Sequence, residues 1–241
     1  MQLFIEETYG DMSRRAADLI AAQLVVDPTS TLGLATGSTP IGLYADLVED
    51  FQNDRISFEQ ATTFNLDEYR GLSPEHDQSY RYFMQKNLFD HVDIDPEATS
   101  VPDGANSDAE AACESYEQAI SEAGGIDLQL LGLGHNGHIG FNEPCDEFPV
   151  RTHLVQLTES TINANSRLFD SVDDVPREAY TMGIGTIMKA RAILVVASGQ
   201  DKAQIVRDAF FGPVTPQVPA SILQLHPNVT VVVDAEAGSL L

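Results

Sequence analysis

The stretch Leu130–Pro144, LLGLGHNGHIGFNEP, constrains the fold more tightly than any other part of the chain. Ile126–Leu133 is a short apolar run ending among glycines, the pattern of a strand buried on both faces of a parallel sheet. Two His, two Asn and one Glu follow between His135 and Glu143. In an open α/β sheet, ligands bind beyond the carboxyl ends of the strands. The chain therefore brings imidazoles, a carboxylate and two amides to the expected mouth of a site, which is equipment for proton transfer on a small polar molecule.

Strand and helix patterns alternate along the rest of the chain. Helical periodicity marks residues 11–26, Pro40 to about Phe51, His76–Phe89, Ser107–Glu122 with Asp108 or Ser107 as cap, Thr158–Phe169, Glu178–Lys189 and Asp201–Phe210. Strands are expected at Leu32–Ala35, Ala61–Phe64, Ile126–Leu133, His153–Leu157, Ala192–Ala197 and Val229–Asp234. This order predicts an α/β fold, a single Rossmann-like domain over residues 1–241, with a mostly parallel sheet and helices on both faces. No internal repeat or linker breaks it, and Gly212–Pro219 is short enough to be a loop.

Charge narrows the partners. Thirteen basic against 37 acidic side chains leave a net of −24, and only Lys86, Lys189 and Lys202 are lysines. Such a surface repels nucleic acid and anionic membranes. The acids are spread along the whole chain, which points to a surface adapted to high salt rather than an acidic tail for a basic partner. No apolar run reaches the length of a membrane span, and no signal peptide is visible. Together with the two cysteines, Cys113 and Cys145, read as free thiols, this predicts a cytoplasmic protein.

Three strand–turn–helix junctions carry further chemistry. Thr36-Gly37-Ser38-Thr39-Pro40 offers a glycine, two hydroxyls and a helix start, suited either to an anion or to plain capping. Asn65-Leu66-Asp67-Glu68-Tyr69 follows a strand; in extended chain Asp67 and Glu68 face opposite ways, one to the site and one to solvent. Lys202 falls in the first turn of a helix, the unfavourable end of the dipole for a cation, which suggests a paired anion. Arg167, near the end of another helix, is a second candidate for that anion, although the dipole alone favours an Arg there. The spacing of His135 and His138 fits no zinc signature, so no metal is expected, and G-x-S-x-G is absent.

Together these segments resemble the glucosamine-6-phosphate deaminase family. The match runs in order through LGLATGSTP (32–40), TFNLDEYRGL (63–72), HDQSYRYFM (76–84), LGLGHNGHIGFNEP (131–144), RTHLVQLT (151–158), NSRLF (165–169), TMGIGTIMKA (181–190), SGQDKA (198–203) and LQLHP (223–227). The resemblance implies conversion of D-glucosamine 6-phosphate and water to D-fructose 6-phosphate and ammonium, with no cofactor. By position it makes Asp67 the base that moves a proton from C2 to C1. It makes His138 the group that opens the pyranose ring, with Asn136 and Glu143 completing the ring-opening group. Gly37, Ser38, Thr39, Arg167 and Lys202 become the phosphate ligands. Some members have Asp where this chain has Asn136, so an orienting role is expected there. Members activated by N-acetylglucosamine 6-phosphate carry basic residues where this chain has His153 and Val155, and a longer C-terminal extension. No such activation is expected here, and a homo-oligomer is compatible with the family. The rival expectations are a 6-phosphogluconolactonase, which shares the fold, and a sugar-phosphate sensor without catalysis.

Overall fold

The computed structural model describes residues 1–159, 161–162, 169 and 171–241, with the backbone alone at residue 173. In chain order the elements are β1 (Gln2–Glu6), α1 (Tyr9–Val26), β2 (Thr31–Leu34), α2 (Ile41–Gln52), β3 (Thr62–Asn65), β4 (Asp67–Tyr69), α3 (Tyr80–Asn87), β5 (Thr99–Ser100) and α4 (Ala109–Glu122). Then come β6 (Leu128–Gly132), β7 (His153–Gln156), β8 (Glu178–Thr181), a single-turn α5 (Ile184–Ile187), β9 (Ala192–Ala197), α6 (Ala203–Phe211) and β10 (Val229–Asp234). Asp108 caps α4, its carboxylate accepting from the Ala111 N–H at 3.1 Å.

Seven strands form one sheet in the order β1-β10-β9-β6-β2-β3-β5. All six pairings are parallel. Its central strands are buried along their length, as the apolar run Ile126–Leu133 requires. From β2 the chain moves outward through β3 to β5; from β6 it moves the other way through β9 to β10. Right-handed crossovers then put α1 and α2, which pack together, on one face and α4 and α6 on the other. The reversal falls between β2 and β6, and the crevice beyond their carboxyl ends is where a ligand fits such a sheet.

The structure departs from the periodicity in several places, the short strand β5 among them. Residues 178–189 are not one helix: Glu178–Thr181 is β8, the middle strand of a three-stranded antiparallel sheet β4-β8-β7. Pairing on both edges satisfies its backbone and overrides local helical preference, leaving only α5 beyond it. Asp67–Tyr69 is strand β4 of this sheet rather than loop, with Asp67 opposite Thr181. The edge strand β1 is only partly buried and so lacks the apolar run that would announce it. The antiparallel sheet carries its own apolar cluster, Tyr69, Phe141, Leu157, Ile162, Val175 and Ala179, separate from the large core of the parallel sheet. Most of the helix expected over Thr158–Phe169 lies outside the described residues.

Candidate active site

A cleft of about 320 Å³ opens at the β2–β6 reversal. Its walls come from the turn after β2, from β4 and from the loop after β6. Gly37, Ser38, Thr39, Asp67, Asn136, His138 and Lys202 all line it. Arg167 lies outside the described residues.

The turn after β2 is held from behind. Tyr44 Oη donates to the Ala35 carbonyl at 2.6 Å, and Tyr9 Oη donates to the Thr39 carbonyl at 3.0 Å while accepting from the Gly42 N–H at 2.9 Å. Gly37 takes φ +102°, a left-handed conformation that favours glycine. Among the described residues nothing accepts from the N–H groups of Gly37, Ser38 or Thr39. The turn is therefore a rigid rim with donors open to the cleft, at the start of α2.

Asp67 and Glu68 diverge as extended chain requires, but neither ends in solvent. Asp67 faces the cleft and is 6% exposed. No described donor reaches its carboxylate, and burial, reinforced by the neighbouring Glu68 charge, pushes it up to about 8. Glu68 is buried against the start of α3, where its carboxylate accepts from the N–H groups of Tyr69 (2.8 Å), Tyr80 (3.0 Å) and Arg81 (2.9 Å). It neutralises a helix N-terminus rather than a ligand. Burial still raises its pKa above the ordinary carboxylate value despite those three donors.

The loop after β6 closes on itself: the Gly134 N–H donates to the His138 carbonyl at 3.0 Å. A Cβ at Gly134 would sit 2.3 Å from His138 Nε2, so only glycine leaves room for the imidazole. Asn136 bridges the loop, its Nδ2 donating to Glu143 Oε2 and its Oδ1 accepting from the His138 N–H at 3.2 Å. Glu143 Oε2 lies 3.5 Å from His138 Nδ1, and Glu143 Oε1 accepts from Thr161 Oγ1 at 2.6 Å. Burial works to raise the Glu143 carboxyl, but His138, Thr161 and Asn136 outweigh it and hold it down to about 2. Asn142, the second amide of the motif, is not in the site: it is buried and donates to the carbonyls of Ile139 and Met182.

Lys202 Nζ donates to the Leu133 carbonyl at 2.8 Å and lies 3.3 Å from His135 Nδ1. Burial lowers its pKa, with Asp201 acting against that. No carboxylate among the described residues pairs with it. His135 turns toward Asp201 and His138 toward Glu143, so the two imidazoles do not converge on one point. Among the described residues no group of three His, Cys, Asp or Glu side chains is placed to hold a metal.

Three site features were hidden from local pattern. Thr161, a hydroxyl on Glu143, and Tyr80, whose ring lines the cleft and stacks on Phe141 at 6.0 Å between centroids, carry no local signal of a role. Tyr9 acts across a gap of thirty residues in sequence.

A family model described as glucosamine-6-phosphate isomerases/6-phosphogluconolactonase matches residues 5–232. A glucosamine-6-phosphate deaminase of Halothermothrix orenii is 56% identical over all of both chains. One of Clostridioides difficile is 53% identical, covering all of this chain and 97% of its own. Among solved structures, a monomeric glucosamine-6-phosphate deaminase superposes over the whole of both chains with a TM-score of 0.97 at 46% identity. A 6-phosphogluconolactonase from Trypanosoma brucei covers all of this chain and 98% of its own, with a TM-score of 0.77 at 21% identity, a likeness of fold alone.

Proposed function

The chain belongs to the family of glucosamine-6-phosphate isomerases and 6-phosphogluconolactonases and has the activity of a glucosamine-6-phosphate deaminase; we propose that the cleft at the β2–β6 reversal runs that reaction with the residues described above. The observation that carries this reading is the pairing of two unlike carboxylates, Asp67 facing the cleft and Glu143 behind the His138 that lines it, beside a rim that offers anion donors. In this reading residues 1–241 act as one catalytic domain.

The substrate phosphate docks on the Gly37–Thr39 turn and on Lys202, with Arg167 as a further ligand. This fixes the reacting carbons against the acid–base groups, the proximity contribution to rate. His138 moves a proton between O1 and the ring oxygen O5, opening the pyranose to the aldehyde. Glu143 stays ionised and Asn136 holds it in place, so the imidazole keeps one orientation through the transfer. With C1 a carbonyl, the C2 proton becomes acidic. Asp67 takes it and returns it to C1, passing through an enolamine. The C2 imine that follows is hydrolysed, releasing ammonium and leaving the C2 ketone. With its pKa pushed up to about 8, Asp67 is mostly protonated at neutral pH. The substrate's own ammonium group at C2 brings the positive charge that lets it ionise.

The direct test is release of ammonium and fructose 6-phosphate from glucosamine 6-phosphate, set against hydrolysis of 6-phosphogluconolactone. Turnover of the lactone alone would overturn the reading, and binding without turnover would favour a sensor. His153 and Val155 are not the basic pair of the activated members, so adding N-acetylglucosamine 6-phosphate should leave the substrate curve unmoved. A clear leftward shift would refute that. Likeness to a monomeric deaminase favours a single chain as the working unit; the homo-oligomer the resemblance admits would sediment as a multiple of 26.2 kDa. No helix among the described residues is long and apolar enough to cross a membrane. A phosphorylated substrate is kept by its charge in the compartment where it is made, which supports a cytoplasmic location. The −24 surface is read as adaptation to salt, and activity should rise between about 0.1 and 4 M, where screening is strong.

A further inference from the structure

His135 lines the cleft, yet none of the proton transfers uses it. Its side chain is 69% exposed, but both ring nitrogens are engaged. Nε2 lies 2.5 Å from Asp201 Oδ2, and Nδ1 lies 3.3 Å from Lys202 Nζ. An ionised Asp201 can only accept, so Nε2 carries the proton of the neutral ring and Nδ1 presents a lone pair. An ammonium has three donors. Leu133 takes one of them and His135 is placed to take a second, which leaves the third for the cleft. The opposite tautomer would set N–H against N–H at this point.

We propose that His135 is a positioning residue for substrate phosphate, acting through Lys202: Asp201 sets its tautomer, and its Nδ1 holds the ammonium aimed before the substrate arrives. A lysine head sits on a flexible four-carbon stem, and ordering that stem in advance removes a cost from binding. Two acceptors on the loop after β6, Leu133 O and His135 Nδ1, define the direction of the third donor. The same contact argues against a metal role for His135, because its inward nitrogen already faces a cation. The inference rests on reading Lys202 as a phosphate ligand.

Steady-state kinetics on glucosamine 6-phosphate, with inorganic phosphate as competing inhibitor, test it. His135→Leu should raise KM and the phosphate inhibition constant together, each by about tenfold, the scale of one hydrogen bond to a charged group. Its kcat should stay within about twofold and its Tm should not move, since the side chain is exposed. His135→Asn keeps an acceptor at the δ position and should recover most of the loss. A Lys202→Met/His135→Leu double variant should bind no worse than Lys202→Met, because a residue that acts through Lys202 has nothing left to position. The proposal fails if His135→Leu leaves both constants unchanged, lowers kcat alone, or weakens binding equally in the Lys202→Met background, which would make His135 a direct ligand. If Lys202→Met itself leaves KM and phosphate inhibition unchanged, the reading of Lys202 fails first. If Lys202→Met raises both and His135→Leu neither, only the positioning role is lost.

Discussion

Asp67 faces the cleft and Glu143 stands behind its lining, against His138, Asn136 and Thr161, and their surroundings treat them oppositely. Asp67 is nearly sealed, has no described donor on its carboxylate and sits beside another acid, so burial wins and it holds its proton up to about 8. Glu143 is also largely covered, but an amide, a hydroxyl and an imidazole face it, and it stays ionised down to about 2. Burial pushes both upward; the partners decide the outcome. Two titratable groups driven apart in this way mark separate acid–base duties. A group poised near 8 can take and return a proton, whereas one fixed as an anion can only orient and stabilise.

Removing Asp67 should break the contrast most severely. Asp67→Asn is expected to lower kcat by about 10³-fold or more with KM within a few-fold, the range of a lost general base, as read by a coupled fructose 6-phosphate assay. The same change should stabilise the fold. Asp67 has a raised folded pKa, so its contribution is full below the unfolded value of about 3.8 and is lost as pH rises through about 8. Thermal melts at pH 8 should therefore show the Asn variant more stable by ~2–4 kcal/mol, with the advantage vanishing below pH 4.

Glu143→Gln attacks the support of His138 and should cost about 10²-fold in kcat, since the imidazole loses its anionic partner. Combining it with His138→Ala should add little, because the two act as one unit. Here the linkage has the opposite sign. Glu143 has a depressed folded pKa, so its stabilisation is present above about 4.5 and is lost as pH falls toward 2. The wild type should therefore lose its margin over Glu143→Gln across that acid window.

The pH profile sharpens the comparison without mutation. In the free enzyme the acid limb of kcat/KM should fall near pH 8, set by Asp67, while the limb of kcat should lie lower, because the bound ammonium favours the carboxylate. Glu68→Gln removes the adjacent negative charge and should move the kcat/KM limb to lower pH, at a cost of ~1–2 kcal/mol for the weakened start of α3. Asn136→Asp should do least to turnover, within about tenfold, and should raise the pKa of the Glu143 pair by setting like charges together.

How much was legible depends on the range of the interaction. Strands β2, β6, β9 and β10 were readable because each is a short, mostly apolar run between turn residues, and runs buried on both faces need no partner to be recognised. The split of Asp67 from Glu68 followed from the two-residue strand period, but the expectation that one meets solvent did not hold, since α3 folds over Glu68. Strands β4 and β8 were missed because antiparallel pairing depends on the partner edges more than on the segment itself.

The residue types of the site, the parallel α/β class and the place of the site beyond the carboxyl ends of the strands were thus determined by the sequence alone, through local periodicity and the chemistry of each motif. Tertiary structure alone decided how differently the two acids hold their protons. It sealed Asp67 with no donor on its carboxylate among the described residues and surrounded Glu143 with donors, and the pKa of a carboxylate is set by what lies around it in space.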